Sequence, residues 1–108
     1  MKIAVSAKGG SIYAQMDERF GRCKYFIIVD SETMRFNAVM NPNIDVMGGA
    51  GPAAAGKIAE HGAQVLITGN VGGNAQQALQ AAGITVVTQT AETVKEAIEK
   101  YLSTQEKS

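Results

Sequence analysis

Between Met47 and Lys57 the chain reads Met-Gly-Gly-Ala-Gly-Pro-Ala-Ala-Ala-Gly-Lys, with no bulky side chain between its ends. Such a segment has little with which to build a core of its own, so it must act mainly through its backbone. Glycine permits φ > 0 and close approach of main chain to another group, and Pro52 suits the first turn of a helix, where a missing N–H costs nothing. A glycine-rich loop opening into a helix exposes unpaired N–H groups at the positive end of the helix dipole, which is the simplest anion site a polypeptide makes. The remaining chain has to supply the scaffold that carries this loop.

The flanking patterns describe that scaffold. Residues 3–7 form a short apolar run ending in small residues, the pattern of a central strand covered on both faces. A long polar loop follows, closing on Asp17-Glu18-Arg19-Phe20-Gly21-Arg22-Cys23. Residues 25–29 are aromatic and β-branched, Asp30-Ser31-Glu32-Thr33 is turn chemistry, and 34–41 resume an extended pattern until Pro42, which together read as a β-hairpin. Small residues over 52–61 predict a helix stopped by Gly62; 65–67 predict a buried strand. A second glycine loop over 69–74 leads into a helix over 75–82, stopped by Gly83, and 84–87 are the last strand. Thr93 with Glu96 three residues on is a capping-box signature, and Val94, Ala97, Ile98, Tyr101 and Leu102 share one helical face.

The element order β-β-β-α-β-α-β-α feeds a hairpin into right-handed βαβ crossovers, giving an α/β fold with a mixed sheet. If the second strand is antiparallel to the first, the other four are mutually parallel. One edge of the sheet then collects residues 8–23, 47–51, 69–74 and 88–90, and ligands of open α/β sheets bind outside the carboxyl ends of the strands.

Composition narrows the function classes. At 108 residues, with 45% hydrophobic and 19% charged, the chain is expected to form one domain over 1–102, with 103–108 a frayed tail. A formal net charge of +0 leaves no basic field of the kind nucleic-acid binders use, so no nucleic-acid partner is expected. One cysteine precludes an internal disulfide, and the first strand begins at once with no signal-like segment and no apolar run of about 18 residues. The expected setting is cytoplasmic, with no membrane partner.

Individual motifs are less decisive. Gly51, Gly56 and Lys57 have nearly the spacing of a phosphate-binding P-loop, but Ile58 stands where a Mg²⁺-binding hydroxyl is needed, and Pro52 would already have begun the helix. Gly56 instead reads as a point of close helix-sheet packing. Gly49-Ala50-Gly51-Pro52-Ala53-Ala54 also matches a loose dinucleotide pattern, without a directly preceding strand or an acidic residue at the end of the next one. Cys23, among Arg19, Arg22 and Lys24, has two readings: a thiolate favoured by its cationic neighbours, or a small buried hydrophobe. As a metal ligand it would need company from backbone donors, a second subunit, or Met16 or Met47, since one thiolate does not hold an ordinary iron-sulfur cluster. His61, the only histidine, falls at a helix end on the edge opposite the glycine loops. Neither a catalytic triad nor a C-x-x-C pair is available, so an enzyme is the least favoured class.

The starting strand, the Asp17-Glu18-Arg19-Phe20-Gly21-Arg22 element, Gly48-Gly49-Ala50-Gly51, the 66–75 run Leu-Ile-Thr-Gly-Asn-Val-Gly-Gly-Asn-Ala, and Ala82-Gly83-Ile84 with Thr93-Val94-Lys95-Glu96-Ala97 occur in this order. As a set the chain resembles the dinitrogenase iron-molybdenum cofactor biosynthesis family, of the NifX and NifB C-terminal-domain type, over residues 1–102. The resemblance implies a three-layer ribonuclease H-like fold with strand order 3-2-1-4-5 and strand 2 antiparallel. It also implies a non-catalytic role in binding or carrying an anionic iron- or molybdenum-containing sulfide cluster or its precursor, with a cluster donor or acceptor protein as partner. Family members often carry His before the Phe-Gly pair, where this chain has Arg19. On this reading the backbone of Gly48, Gly49, Ala50, Gly51, Gly72 and Gly73 would hold the anion; Arg19, Arg22 and Lys8 would neutralise it, and Cys23 could bond it. The alternatives are a nucleotide- or phosphate-binding module at the same loops and a protein-protein adaptor, including a homodimer.

Overall fold

A computed structural model of the chain describes residues 1–41 and 50–106. Its elements are β1 (Lys2–Ala7), β2 (Tyr25–Asp30), β3 (Phe36–Met40), α1 (Ala50–Glu60), β4 (Val65–Thr68), α2 (Gly73–Ala81), β5 (Thr85–Thr88) and α3 (Val94–Glu106). The five strands form one sheet in the order β3-β2-β1-β4-β5. β2 runs antiparallel to β1 and to β3, while β4 and β5 continue parallel to β1. This is the mixed α/β sheet that the element order implies, in the ribonuclease H-like strand order that the family resemblance implies.

The apolar runs are continuous because both faces of the central strands are covered. Successive side chains alternate between the faces. Ala4, Phe26, Ile28, Val39 and Leu66 meet Ala54, Ala55, Ile58, Ala75 and Leu79 from α1 and α2. On the other face Ile3, Val5, Ile27, Val29, Val65 and Ile67 meet Val94, Ala97, Ile98 and Tyr101 from α3. Each of the larger aliphatic side chains so enclosed contributes about 1.5–3 kcal/mol.

Both central helices stop as the glycines foretell. Gly62 has φ 80° and Gly83 φ 76°. The Gly62 N–H donates to the Ala59 carbonyl and that of Ala63 to Ile58; likewise Gly83 donates to Gln80 and Ile84 to Leu79. This paired pattern is a Schellman motif, and each one turns the chain directly into the next parallel strand.

Helix bounds differ from the expected ones by two residues or more in three places. α1 begins at Ala50 rather than Pro52, since the N–H that proline lacks would have no intrahelical partner anywhere in the first turn. α2 begins at Gly73 rather than Ala75. α3 continues through Glu106, four residues past Leu102, into the stretch expected to fray; the Thr104 hydroxyl donates back to the Lys100 carbonyl at 3.0 Å. Among the described residues no helix is long and apolar enough to cross a membrane.

Candidate functional site: the carboxyl edge of the sheet

β1, β4 and β5 end at Ala7, Thr68 and Thr88 on the same edge, where β2 starts and β3 finishes. The segment 8–24 spans this edge and is pinned by a buried polar pair. Ser6 and Thr68, both wholly buried, lie beside each other on β1 and β4 with hydroxyl oxygens 2.8 Å apart. Ser6 donates to the Asp17 carbonyl, and the Asp17 N–H donates back to the Ser6 carbonyl at 2.9 Å. Gly69 then lies against Glu18 so closely that a Cβ there would stand 2.8 Å from the Glu18 Cβ and 3.0 Å from its Cα. Only glycine permits that approach. The Phe20 N–H donates to the Asn70 carbonyl at 3.3 Å, and Arg19 bridges Asn70, which places Arg19 beside the turn that leads into α2.

Asp17 is the residue the sequence reading passed over. Its side chain is 4% exposed, whereas that of its partner Arg19 is 64% exposed. Asp17 Oδ1 accepts from the Arg19 backbone N–H at 2.9 Å and from Nε at 3.1 Å, and Oδ2 accepts from Nη2 at 3.1 Å. Burial alone would raise the Asp17 pKa, but the Arg19 hydrogen bonds, with the Arg19 and Lys8 charges, outweigh it and hold the carboxyl below its ordinary value. The carboxylate is thus inside and the guanidinium outside, on the edge.

Two helices open beside it. Gly51, in the first turn of α1, faces Ala75, in the first turn of α2; a Cβ on Gly51 would stand 2.7 Å from the Ala75 Cβ. The two N-termini are therefore neighbours, and neither first turn holds an acidic residue. The α2 N-cap is Gly72, which has no side chain to satisfy the first N–H groups. A Cβ on Gly72 or Gly73 would meet nothing within 4 Å, so the backbone there faces open space. α3 differs. Its N-terminus is closed by Thr93 Oγ1, which accepts from the Glu96 N–H at 3.2 Å, and by the Ala14 and Ile12 carbonyls, which accept from Val94 and Lys95.

The expected site residues divide accordingly. Arg19, Arg22 and Lys8 are exposed on the loop that spans the edge, and Gly72 and Gly73 open α2. Ala50 and Gly51 open α1, although the missing side chain of Gly51 serves the contact with Ala75. Gly48, Gly49 and Met47 lie outside the described residues. Met16 is buried in the core beneath α3, which removes it as an auxiliary ligand at the edge. Gly56 does not mark close packing: it is exposed, with nothing within 4 Å of a Cβ built on it.

Of the two readings of Cys23, the structure shows the buried hydrophobe. It is wholly buried among Phe20, Phe26 and Val39, with its Sγ donating to the Phe20 carbonyl at 3.3 Å. Burial pushes the thiol up to about 12 from an ordinary 9.0; bonds from the Ala7 backbone and from Asn41 oppose this only in part, and the Asp17 charge adds to it. The neighbouring cations in sequence, Arg19, Arg22 and Lys24, are exposed, and burial of the sulfur is the dominant influence on the thiol. Cys23 is a core residue in this structure and offers no accessible ligand. Asn41 seals it in, donating from Nδ2 to the Gly21 carbonyl at 3.1 Å and the Cys23 carbonyl at 2.9 Å. Among the described residues no group of three or more His, Cys, Asp or Glu side chains is placed to hold a metal ion.

Known structures with this architecture include the apo form of the orange protein from Desulfovibrio gigas, which is 43% identical, with a TM-score of 0.92 over 96% of this chain and 88% of that one. A putative NifB protein from Thermotoga is 34% identical, with a TM-score of 0.83 over 94% of this chain and 87% of that one. No curated protein matches the chain at a significant level. The family model described as dinitrogenase iron-molybdenum cofactor matches residues 1–104. With the fold in agreement, the chain belongs to the dinitrogenase iron-molybdenum cofactor family.

Proposed function

We propose that the chain is a non-catalytic carrier for an anionic iron- or molybdenum-containing sulfide cluster, or its precursor, during cofactor assembly. The observation that carries this reading is that Arg19 is bridged to the turn before α2, whose N-terminus packs against that of α1, both first turns being free of acidic residues. Such donors recognise negative charge and hold it by hydrogen bonds, and the buried Cys23 adds no metal ligand to them. The supporting donors are the backbone of Ala50 and Gly51 on one side and of Gly72 and Gly73 on the other, with Arg22 and Lys8 adding charge at the rim.

The expected affinity is modest. A helix N-terminus contributes roughly 0.3–1 kcal/mol when exposed and up to ~2 when partly buried. A charge-assisted hydrogen bond adds ~1.5–3 kcal/mol. Two termini and one arginine together give roughly 2–7 kcal/mol, which limits binding to on the order of micromolar at best and leaves it weaker once association costs are met. That range suits cargo which must be handed on, and the partners on this reading are the donor and acceptor proteins of a cytoplasmic assembly route.

Anaerobic reconstitution with iron or molybdate plus sulfide, followed by desalting and metal analysis, tests the proposal. A coloured protein with stoichiometric metal is expected. Protein that emerges colourless and metal-free under every condition refutes it, and stabilisation by nucleotides alone would assign the same loops to phosphate instead.

A further inference from the structure

We infer that Asp17 is a positioning residue, which fixes the Arg19 guanidinium so that its outer edge receives an anion with two adjacent acceptor atoms. The inference rests on the cargo reading and names the shape of anion the site takes. A guanidinium is planar and carries five N–H donors in a rigid fork. Asp17 occupies the side edge, through Nε and Nη2 at 3.1 Å each, and the same carboxylate holds the Arg19 backbone N–H. Three donors remain: two on Nη1 and one on Nη2. One from each nitrogen forms the end edge of the fork, on a side chain that is 64% exposed. The segment is itself fixed by the Ser6 hydroxyl and by Asn70, so the fork is anchored at its root as well as its tip.

A carboxylate is an odd neighbour for an anion site if charge alone matters. Pairing with Asp17 cancels most of the long-range attraction of Arg19, and what remains is a preoriented pair of parallel donors. Anions that present two acceptor atoms about one tetrahedral edge apart, as tetrahedral oxo- or thiometallates and the sulfide edges of clusters do, match that pair. Charge and geometry then predict opposite signs for one substitution. Asp17→Asn removes a negative charge from the site, so attraction by charge alone would tighten anion binding. Loss of the fixed fork would weaken it.

The test is titration of the wild-type chain, Asp17→Asn and Arg19→Lys with tetrathiomolybdate, followed by calorimetry and by visible absorption, with thermal unfolding of each variant recorded alongside. Weakening of about tenfold or more is expected for Asp17→Asn, the loss of one charge-assisted bond. Arg19→Lys, which keeps the charge but removes the planar fork, is expected to weaken binding at least as much. Unchanged or tighter binding by folded Asp17→Asn overturns the positioning role. A readout independent of cargo separates this from failure of the carrier reading. The Arg19 Nε–H proton should exchange slowly with solvent in the wild type and fast in Asp17→Asn. Equal exchange in both overturns the inference whether or not tetrathiomolybdate binds, whereas slow exchange without binding of any metal sulfide sinks only the carrier reading.

Discussion

Two glycines in α1 should respond to the same substitution with opposite sign. Gly56 lies in the helix interior with nothing within 4 Å of a built Cβ, so Gly56→Ala meets no neighbour and gains the helix preference of alanine, about 0.5–1 kcal/mol. Gly51→Ala places a methyl 2.7 Å from the Ala75 Cβ and 3.4 Å from its Cα. That neighbour is no flexible side-chain tip. Ala75 is 5% exposed, and its Cβ moves only if the backbone of α2 moves with it, so the two helices must separate. Overpacking of this kind costs about 1–3 kcal/mol, more than the preference for alanine returns in a first turn. A net loss of roughly 0.5–2 kcal/mol is expected, hence a separation of roughly 1–3 kcal/mol between the two variants. Urea denaturation followed by circular dichroism measures both, and for a domain of this size each kcal/mol moves the thermal midpoint by about 4–8 °C. Adding Ala75→Gly to Gly51→Ala should recover much of the clash as a coupling energy in the double-mutant cycle. If Gly51→Ala stabilises the protein as much as Gly56→Ala does, the packing of the two helix N-termini against each other is wrong.

Further outcomes follow from other contacts. Thr93→Ala removes the acceptor of the Glu96 N–H and should cost about 1 kcal/mol in urea denaturation. Gly69→Ala forces a methyl onto the Glu18 backbone, so it should both destabilise the fold by about 1–3 kcal/mol and weaken any anion binding that depends on Arg19. Cys23 should not react with a thiol reagent at pH 8 until the protein is unfolded, because the sulfur is wholly enclosed. Its pKa also sets a stability slope. Between about pH 9.0 and pH 12 the native state keeps a thiol proton that the unfolded chain has lost, so stability falls as pH rises through that window. The slope is at most about 1.4 kcal/mol per pH unit; it should be absent from Cys23→Ala and so remain in the difference between wild type and that variant in urea melts at pH 8 and 10.

Local chemistry was the most legible part of the sequence. Gly62 and Gly83 end their helices in left-handed conformation because a Schellman motif needs only the residue itself and its neighbours. Strand directions followed from element order and crossover handedness, whereas the strand order came from the family resemblance. What stayed hidden depends on partners distant in the chain. That Gly51 and not Gly56 makes a tight contact rests on where α2 lies, and Cys23 is sealed by Phe20, Phe26 and Asn41, the last of these eighteen residues on. The Arg19 to Asp17 pairing had a readable signal, an acid two residues before an arginine, but its meaning depends on Asp17 being buried beneath Ser6 and Thr68. The second glycine loop and Arg19 lie at the carboxyl edge that strand direction implies, while the sequence could not show that the Cys23 sulfur is wholly enclosed, which is what raises its pKa.

The connection between β1 and β2 also ties the molecule together mechanically. Near one end its Ile12 and Ala14 carbonyls hold the first amides of α3, and near the other Phe20 is bonded to the turn before α2. α3 and α2 belong to opposite layers, whose cores the sheet keeps apart. The connection is therefore a strap around the rim, and neither layer can peel away without breaking bonds to it. Unfolding should be a single cooperative event in which both cores are lost together, and a load drawn onto Arg19 is felt by both layers at once.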